Sequence, residues 1–222
     1  MIELLERFEL LFSIIGGWII SIFLIIVLKM MRRNRLPNGS IIIETNSINN
    51  EIIIPGYNIL LLVGIGSISF LTFFVIFLCI FDFWNIVASY IALDLPRWLN
   101  WIGIVGIWTQ DCWGGFVIGY NVNYTPAYKP MKKEYILATG GPYKFVRHPM
   151  YISKAFLAMF FFLATGILFS LIGILSWLVL SSQARREEQA LLKKFGRKYE
   201  EYCNKTGRFF PKIKRSCVFL IL

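Results

Sequence analysis

Two short stretches of this 222-residue chain hold side chains whose types and spacing suit them to bind a polar ligand together. The first is Thr139-Gly-Gly-Pro-Tyr-Lys-Phe-Val-Arg-His-Pro-Met-Tyr, which carries the only histidine of the sequence, His148, between Arg147 and Pro149. Gly140-Gly141-Pro142 predicts a turn. Pro149 predicts a helix start, because proline suits the first helical position, where its missing N–H costs nothing. The unsatisfied N–H groups of that first turn, with Arg147 and His148 just before them, would make a seat for an anion. The second stretch is Arg185-Arg186-Glu187-Glu188, followed by Phe195-Gly196 and the pair Tyr199 and Tyr202.

The geometry of a helix gives the second stretch its meaning. On a helix over residues 181–195, Ala184, Leu191, Leu192 and Phe195 all fall within about 60° of Glu188 at 100° per residue. Glu188 therefore points into an apolar face, where an unpaired carboxylate costs several kcal/mol. It requires a cation or hydroxyls as partner, either from a ligand or from the protein, for example Arg147. Glu187 lies at the edge of the same face and is the weaker candidate. A lone histidine is most often a satisfied polar residue, but His148 stands between an arginine and a helix-starting proline, with Tyr151 on the following turn. That setting favours a functional role.

The elements that must position these residues are membrane elements. The composition is 57% hydrophobic, 17% aromatic and only 16% charged, with a mean hydropathy of +0.62, values that belong to integral membrane proteins. Apolar runs at 8–28, 57–81 and 99–119 are each long enough to span a bilayer as a helix. The run from 149 to 182 would reach roughly 50 Å as one helix, against a hydrocarbon core of about 30 Å. Two helices with a tight turn near 164–166 or 170–173 fit better. The expectation is an all-α, polytopic membrane protein of about five transmembrane helices, its site formed on the cytoplasmic side by the 121–148 loop and the C-terminal helices.

Charge supports that topology. The net charge of +10 would suggest nucleic acid if it tracked a soluble surface, but the basic residues sit between apolar runs, so no nucleic-acid partner is expected. With an outside N-terminus, segments 29–35, 121–154 and 183–222 lie inside and hold every Lys and Arg except Arg7 and Arg97. That is the positive-inside pattern, and it brings both site stretches to one face. The acidic start at Glu3, Glu6 and Glu9 argues against a cleaved signal peptide. The cysteines, Cys79, Cys112, Cys203 and Cys217, show neither metal-ligand nor redox spacing, and no metal is expected. Residues 36–56 hold a weak hairpin signal. Gly64-Ile-Gly66 reads as a helix-packing feature rather than a nucleotide fingerprint.

Asp111, in Trp108-Thr-Gln-Asp-Cys-Trp113, is the only acidic residue deep in an expected span. An ionisable group there costs about 2.5–3.5 kcal/mol on insertion scales and normally faces the protein interior with a partner. The partner can be a neighbouring polar group or another helix. Alternatively, Asp111 faces a ligand path, where it would receive a proton from an amine or hold a cationic group.

Gly-Gly-Pro-Tyr-x-x-Val-Arg-His-Pro-x-Tyr, then Arg-x-Glu-Glu-x-x-Leu-x-x-x-Phe-Gly-x-x-Tyr-x-x-Tyr and Arg208-Phe-Phe-Pro211, resemble the isoprenylcysteine carboxyl methyltransferase and phospholipid methyltransferase group of integral membrane enzymes. Ile118-Gly-Tyr-Asn121 and Tyr124-Thr-Pro126 are similar to that group's entry to the loop. The resemblance covers roughly residues 98–213. It implies S-adenosylmethionine as methyl donor and a lipophilic or lipidated acceptor drawn from the membrane. A prenylcysteine-type carboxylate stands first as acceptor, with a phospholipid or other lipid amine as alternative. Carried over by position, Tyr143, His148, Tyr151, Glu187 and Glu188 would bind the cofactor, Arg147 would join it to the substrate and Arg208 would lie on the acceptor side. With Asp111 these two arginines form the expected catalytic set. Ser153 stands where the group usually has glycine. The implied organisation is a two-span region over 1–97, a methyltransferase core over 98–215 and a short tail over 216–222. Sterol reductases that use NADPH share a similar Arg-His-Pro-x-Tyr element but are typically longer. A membrane scaffold or lipid-binding protein is the non-enzymatic rival. Oligomeric state has no signature in the sequence.

Overall fold

The computed structural model describes residues 5–31, 59–121 and 137–212, without the side chains of 59–65, 175, 176 and 178. The hairpin signal at 36–56 and Cys217 lie outside the described residues. Seven α-helices occur among those described: α1 (Arg7–Met31), α2 (Ile59–Ile80), α3 (Trp84–Ile91), α4 (Arg97–Tyr120), α5 (Pro149–Thr165), α6 (Ile172–Phe195) and α7 (Arg197–Lys205). Short 3₁₀ turns cover Gly141–Lys144 and Leu168–Leu171. The all-helical class follows the sequence. Two helical stretches, Arg7–Met31 and Leu168–Phe195, are long and apolar enough to cross a membrane, and Gly66–Ile80 and Pro149–Thr165 are shorter apolar helices. Helix α4 is diluted by Asn100, Gln110 and Asp111.

Inter-helix contacts fix directions. Along α1 and α4, Glu9 meets Arg97, the Ser13 carbonyl accepts from Trp108, and Gly17, Ser21 and Leu28 lie against Asp111, Gly115 and Gly119. Both helices therefore run the same way. Helix α5 opposes α4: Asn100 donates to the Leu163 carbonyl at 2.9 Å, and Trp113 donates to the Pro149 carbonyl at 3.2 Å. At Gly103 a side chain would sit 2.2 Å from the Ala164 backbone nitrogen, so only glycine lets α4 and α5 approach this closely. The expected packing role at Gly64–Gly66 is not present at Gly66, which is exposed and has open space around it. Close packing depends on what faces a glycine, which spacing within one helix does not reveal.

The turn between α5 and α6 forms where the length argument required one. Gly166 takes φ +72°, a left-handed conformation open to glycine, and ends α5 with its N–H on the Phe162 carbonyl. Its own carbonyl accepts from Leu93 at 2.9 Å. The short helix α3, in the stretch expected to be a plain connection, lies at this same end, with Trp84 buried and its indole N–H donating to the Leu5 carbonyl. One apolar core joins Leu10, Ile14, Val75, Trp84, Ile104, Phe161 and Ile167 across α1 to α5 and the following turn. The opposite end gathers the close of α1 and α4, the start of α5, and α7.

Candidate active site

The site grows from that second end. Gly141 takes φ +58° and packs against Tyr120 at the end of α4, and the 3₁₀ turn carries the chain to His148, which precedes Pro149 at the first position of α5. Both local expectations hold. The backbone here is not open, however. Arg147 N–H donates to the Gly207 carbonyl at 2.9 Å and His148 N–H to the Arg208 carbonyl at 3.0 Å, while Gly207 N–H returns to Phe145 at 3.3 Å. The segment after α7 thus lies as a strap along 145–148, and these two amides are not available to an anion.

Glu188 is the hub. Its Oε1 accepts from Arg147 Nε at 2.8 Å and its Oε2 from Arg208 Nε at 3.0 Å. His148 Nε2 lies 3.3 Å from Oε1 but is not aligned for a hydrogen bond, and it is a buried nitrogen with no hydrogen-bond partner among the described residues. Burial pushes the Glu188 carboxyl up, but His148, Arg208 and Arg147 outweigh it and hold the group well below the usual carboxylate range. Periodicity demanded a cation or hydroxyls for Glu188, and the protein supplies two cations. Arg147 further donates to the carbonyls of Cys203 and Thr206, where a helix end leaves carbonyls unpaired and favours positive charge.

Glu187 is the better placed of the two for a ligand. It accepts from the Tyr151 hydroxyl, and His148 Nδ1 stands 3.6 Å from its Oε2. Burial pushes its carboxyl up, more than His148 and the hydrogen bonds of Tyr151 and Gln183 bring it down. Its charge is not met by a guanidinium. The aromatic surroundings are Tyr151, stacked on His148 at 5.2 Å between centroids, and Phe209 of the strap, 5.9 Å from His148 and 4.5 Å from Trp177 of α6.

The structure therefore brings together Arg147, His148, Tyr151, Glu187, Glu188 and Arg208. Tyr143 stands to one side, accepting from Asn121 at 3.1 Å, while its backbone carbonyl accepts from Tyr202 at 2.7 Å. Ser153 is buried in α5. Asp111 is apart, on the face of α4 that meets Gly17 of α1. Three features escaped the sequence reading. The strap and the Arg208–Glu188 pair have no spacing signal. Tyr199, nearly fully buried, has a hydroxyl without a hydrogen-bond partner among the described residues, and the Tyr199/Tyr202 spacing was its only hint. Among the described residues no group of three or more His, Cys, Asp or Glu is disposed to hold a metal.

Residues 100–198, from α4 into α7, match the family model for phospholipid methyltransferase. This stretch, a little under half of the chain, is similar to that family of membrane methyltransferases, the group the motifs resemble, whose members use S-adenosylmethionine. No curated protein matches the chain.

Proposed function

We propose that the chain is an integral membrane methyltransferase that uses S-adenosylmethionine to methylate a lipid amine at the cytoplasmic end of about five spans. The observation that carries the proposal is the convergence of His148, Tyr151, Glu187 and Glu188 within the matched family segment.

The residues present fit the cofactor. A buried polar atom, His148 Nε2, lacks a hydrogen-bond partner among the described residues, and a buried carboxylate, Glu187, lacks a guanidinium. A ligand with an ammonium or ribose hydroxyls and an aromatic base complements such a set. Glu187 would take the cationic or hydroxyl part, His148 a polar atom, and Tyr151 and Phe209 the flat base. When bound, the cofactor supplies an electrophilic methyl group. In-line methyl transfer to the free amine, whose ammonium form first gives its proton to water, needs orientation more than acid–base power, and orientation is worth about 7–11 kcal/mol. Arg147, Glu188 and Arg208 provide it indirectly, by fastening the strap that places Phe209 beside His148 and excludes water.

A lipid amine is preferred over the prenylcysteine-type carboxylate because a carboxylate acceptor calls for a guanidinium to orient it. Arg147 and Arg208 are both held by Glu188. The test is calorimetric titration of the purified protein with S-adenosylmethionine and with NADPH, followed by mass spectrometry of phospholipid and prenylcysteine substrates incubated with labelled cofactor. Binding of NADPH alone would reject the reading, and labelling confined to prenylcysteine would reject the amine.

A further inference from the structure

The strap after α7 has two sides. Inward, Arg208 joins Glu188, and Phe209 lies beside His148 and Trp177. Outward, it carries apolar and basic side chains that the site does not use. Phe210 is 64% exposed, and Phe145, on the segment paired with the strap, is 59% exposed. Gly207 draws their backbones together: its N–H donates to the Phe145 carbonyl at 3.3 Å, and a side chain at Gly207 would collide with the Phe210 carbonyl. The Lys212 backbone nitrogen would stand 3.3 Å from that same side chain. Lys144, next to Phe145, and Lys205, which closes α7, are exposed as well. Among the described residues none of these three lysines pairs with a carboxylate. The Lys212 ammonium donates to the Cys203 and Asn204 carbonyls, at 2.9 and 3.2 Å, and keeps its charge uncompensated.

Phe145 stands just before Pro149, where the apolar helix α5 begins. With about five spans, that is the level at which the chain leaves the hydrocarbon. An exposed aromatic ring is more stable there in the headgroup zone than in water. Lysines beside it attract anionic headgroups, each by about 5-fold in affinity. The neighbouring sequence does not supply the missing negative charge: 122–136 holds Lys129, Lys132 and Lys133 against Glu134, and 213–222 holds Lys214 and Arg215 without an acidic residue. We propose that the outer face of the strap rests on the headgroups of an anionic leaflet, and that this contact steadies Phe209 and Arg208 in the candidate site. Phe210 couples the two, because fixing it leaves its neighbour Phe209 little freedom to leave His148. Anionic lipid then acts as a regulator and not as a methyl acceptor. The effect on the cofactor rests on the reading above, whereas the contact with the leaflet stands apart from it.

The test places the purified full chain in nanodiscs of dioleoyl phosphatidylcholine, alone or mixed two to one with dioleoyl phosphatidylglycerol. An environment-sensitive fluorophore on Phe210→Cys should shift to shorter wavelength in the anionic discs. S-adenosylmethionine should bind the unlabelled wild type about 5-fold more tightly there, the worth of one lysine at such a surface. Both differences should shrink at high salt, which screens exposed charges. They should vanish in K144E/K205E, which reverses two charges and leaves Lys212 on the α7 carbonyls. In neutral discs that variant should keep wild-type cofactor affinity. Should it not insert, K144Q/K205Q decides by the same criteria. A fluorophore that does not shift, or that shifts equally in the lysine variant, overturns the contact. A fluorophore that responds to polyglutamate and not to anionic discs assigns the face to an acidic protein and overturns it likewise. A shift without any change in cofactor affinity overturns the coupling to the site. A shift in a protein that binds S-adenosylmethionine in neither disc rejects the cofactor reading and leaves the contact standing.

Discussion

Neighbouring carboxylates at the end of α6 meet opposite surroundings: Glu188 lies between two guanidinium groups, while Glu187 is buried against a hydroxyl, an imidazole and an amide. A carboxyl raised by burial holds its proton to higher pH in the folded chain than in the unfolded one. Affinity for a cationic ligand is then complete above that raised value and falls as pH drops through it. S-adenosylmethionine binding should weaken on acidification with a midpoint above the ordinary range for Glu. Glu187→Gln should weaken binding by about 10- to 100-fold at neutral pH and flatten the profile; calorimetry from pH 5 to 8 measures both. An unchanged profile in Glu187→Gln would assign the titration elsewhere. Glu188→Gln acts differently, because it leaves Arg147 and Arg208 without their anion. Breaking a buried pair costs about 3–5 kcal/mol, so thermal unfolding should come earlier and the strap after α7 should become sensitive to protease. His148→Ala should reduce cofactor affinity without that loss of stability.

At the scale of elements, the site depends on how closely α4 and α5 approach. Gly103 lies against the backbone of Ala164, and Gly106 against the ring of Phe160. Gly103→Leu must push the two helices apart, since backbone cannot rotate away as a side chain can. Overpacking ordinarily costs about 1–3 kcal/mol, and this position belongs at the upper end or above. The expected outcome is a lower unfolding temperature together with weaker S-adenosylmethionine binding, because α5 begins at Pro149, directly after His148, and is tied there to Trp113 of α4. Gly66→Leu, where the surroundings are open, is the control and should leave both measurements unchanged.

For the whole molecule, the long helices alternate so that the polar site and the acidic start of the chain lie at opposite ends. The two cations outside the basic segments, Arg7 and Arg97, are each neutralised there, Arg7 by Asp82 at 2.7 Å and Arg97 by Glu9. Such exposed pairs add little stability, but they cancel charges that oppose the expected topology. Single cysteines replacing Lys29, Lys144 and Lys205 should react with an impermeant thiol reagent from one side of a sealed membrane, and one replacing Asp94 from the other. A pattern that separates residue 144 from residue 205 would contradict the five-span proposal and the shared site with it.

How much of this was legible beforehand follows from the range of the forces involved. The start of α5 at Pro149, the turn at Gly166 and the inward direction of Glu188 are consequences of φ preference and of 100° per residue, which act within a turn or two of chain. The helix start and the direction of Glu188 were determined by the sequence alone, the turn was narrowed to 164–166 or 170–173, and Glu188 was known to need a cation or hydroxyls. Arg147 was there only an example of the cation, and Arg208 was not foreseen in that role at all. Arg147 lies 41 residues from Glu188 and Arg208 lies 20 away, on a separate helix start and a separate strap, and no periodicity relates them. Local rules decided which side chains needed partners. Tertiary packing decided which partners they met, because only packing brings distant segments within hydrogen-bond range.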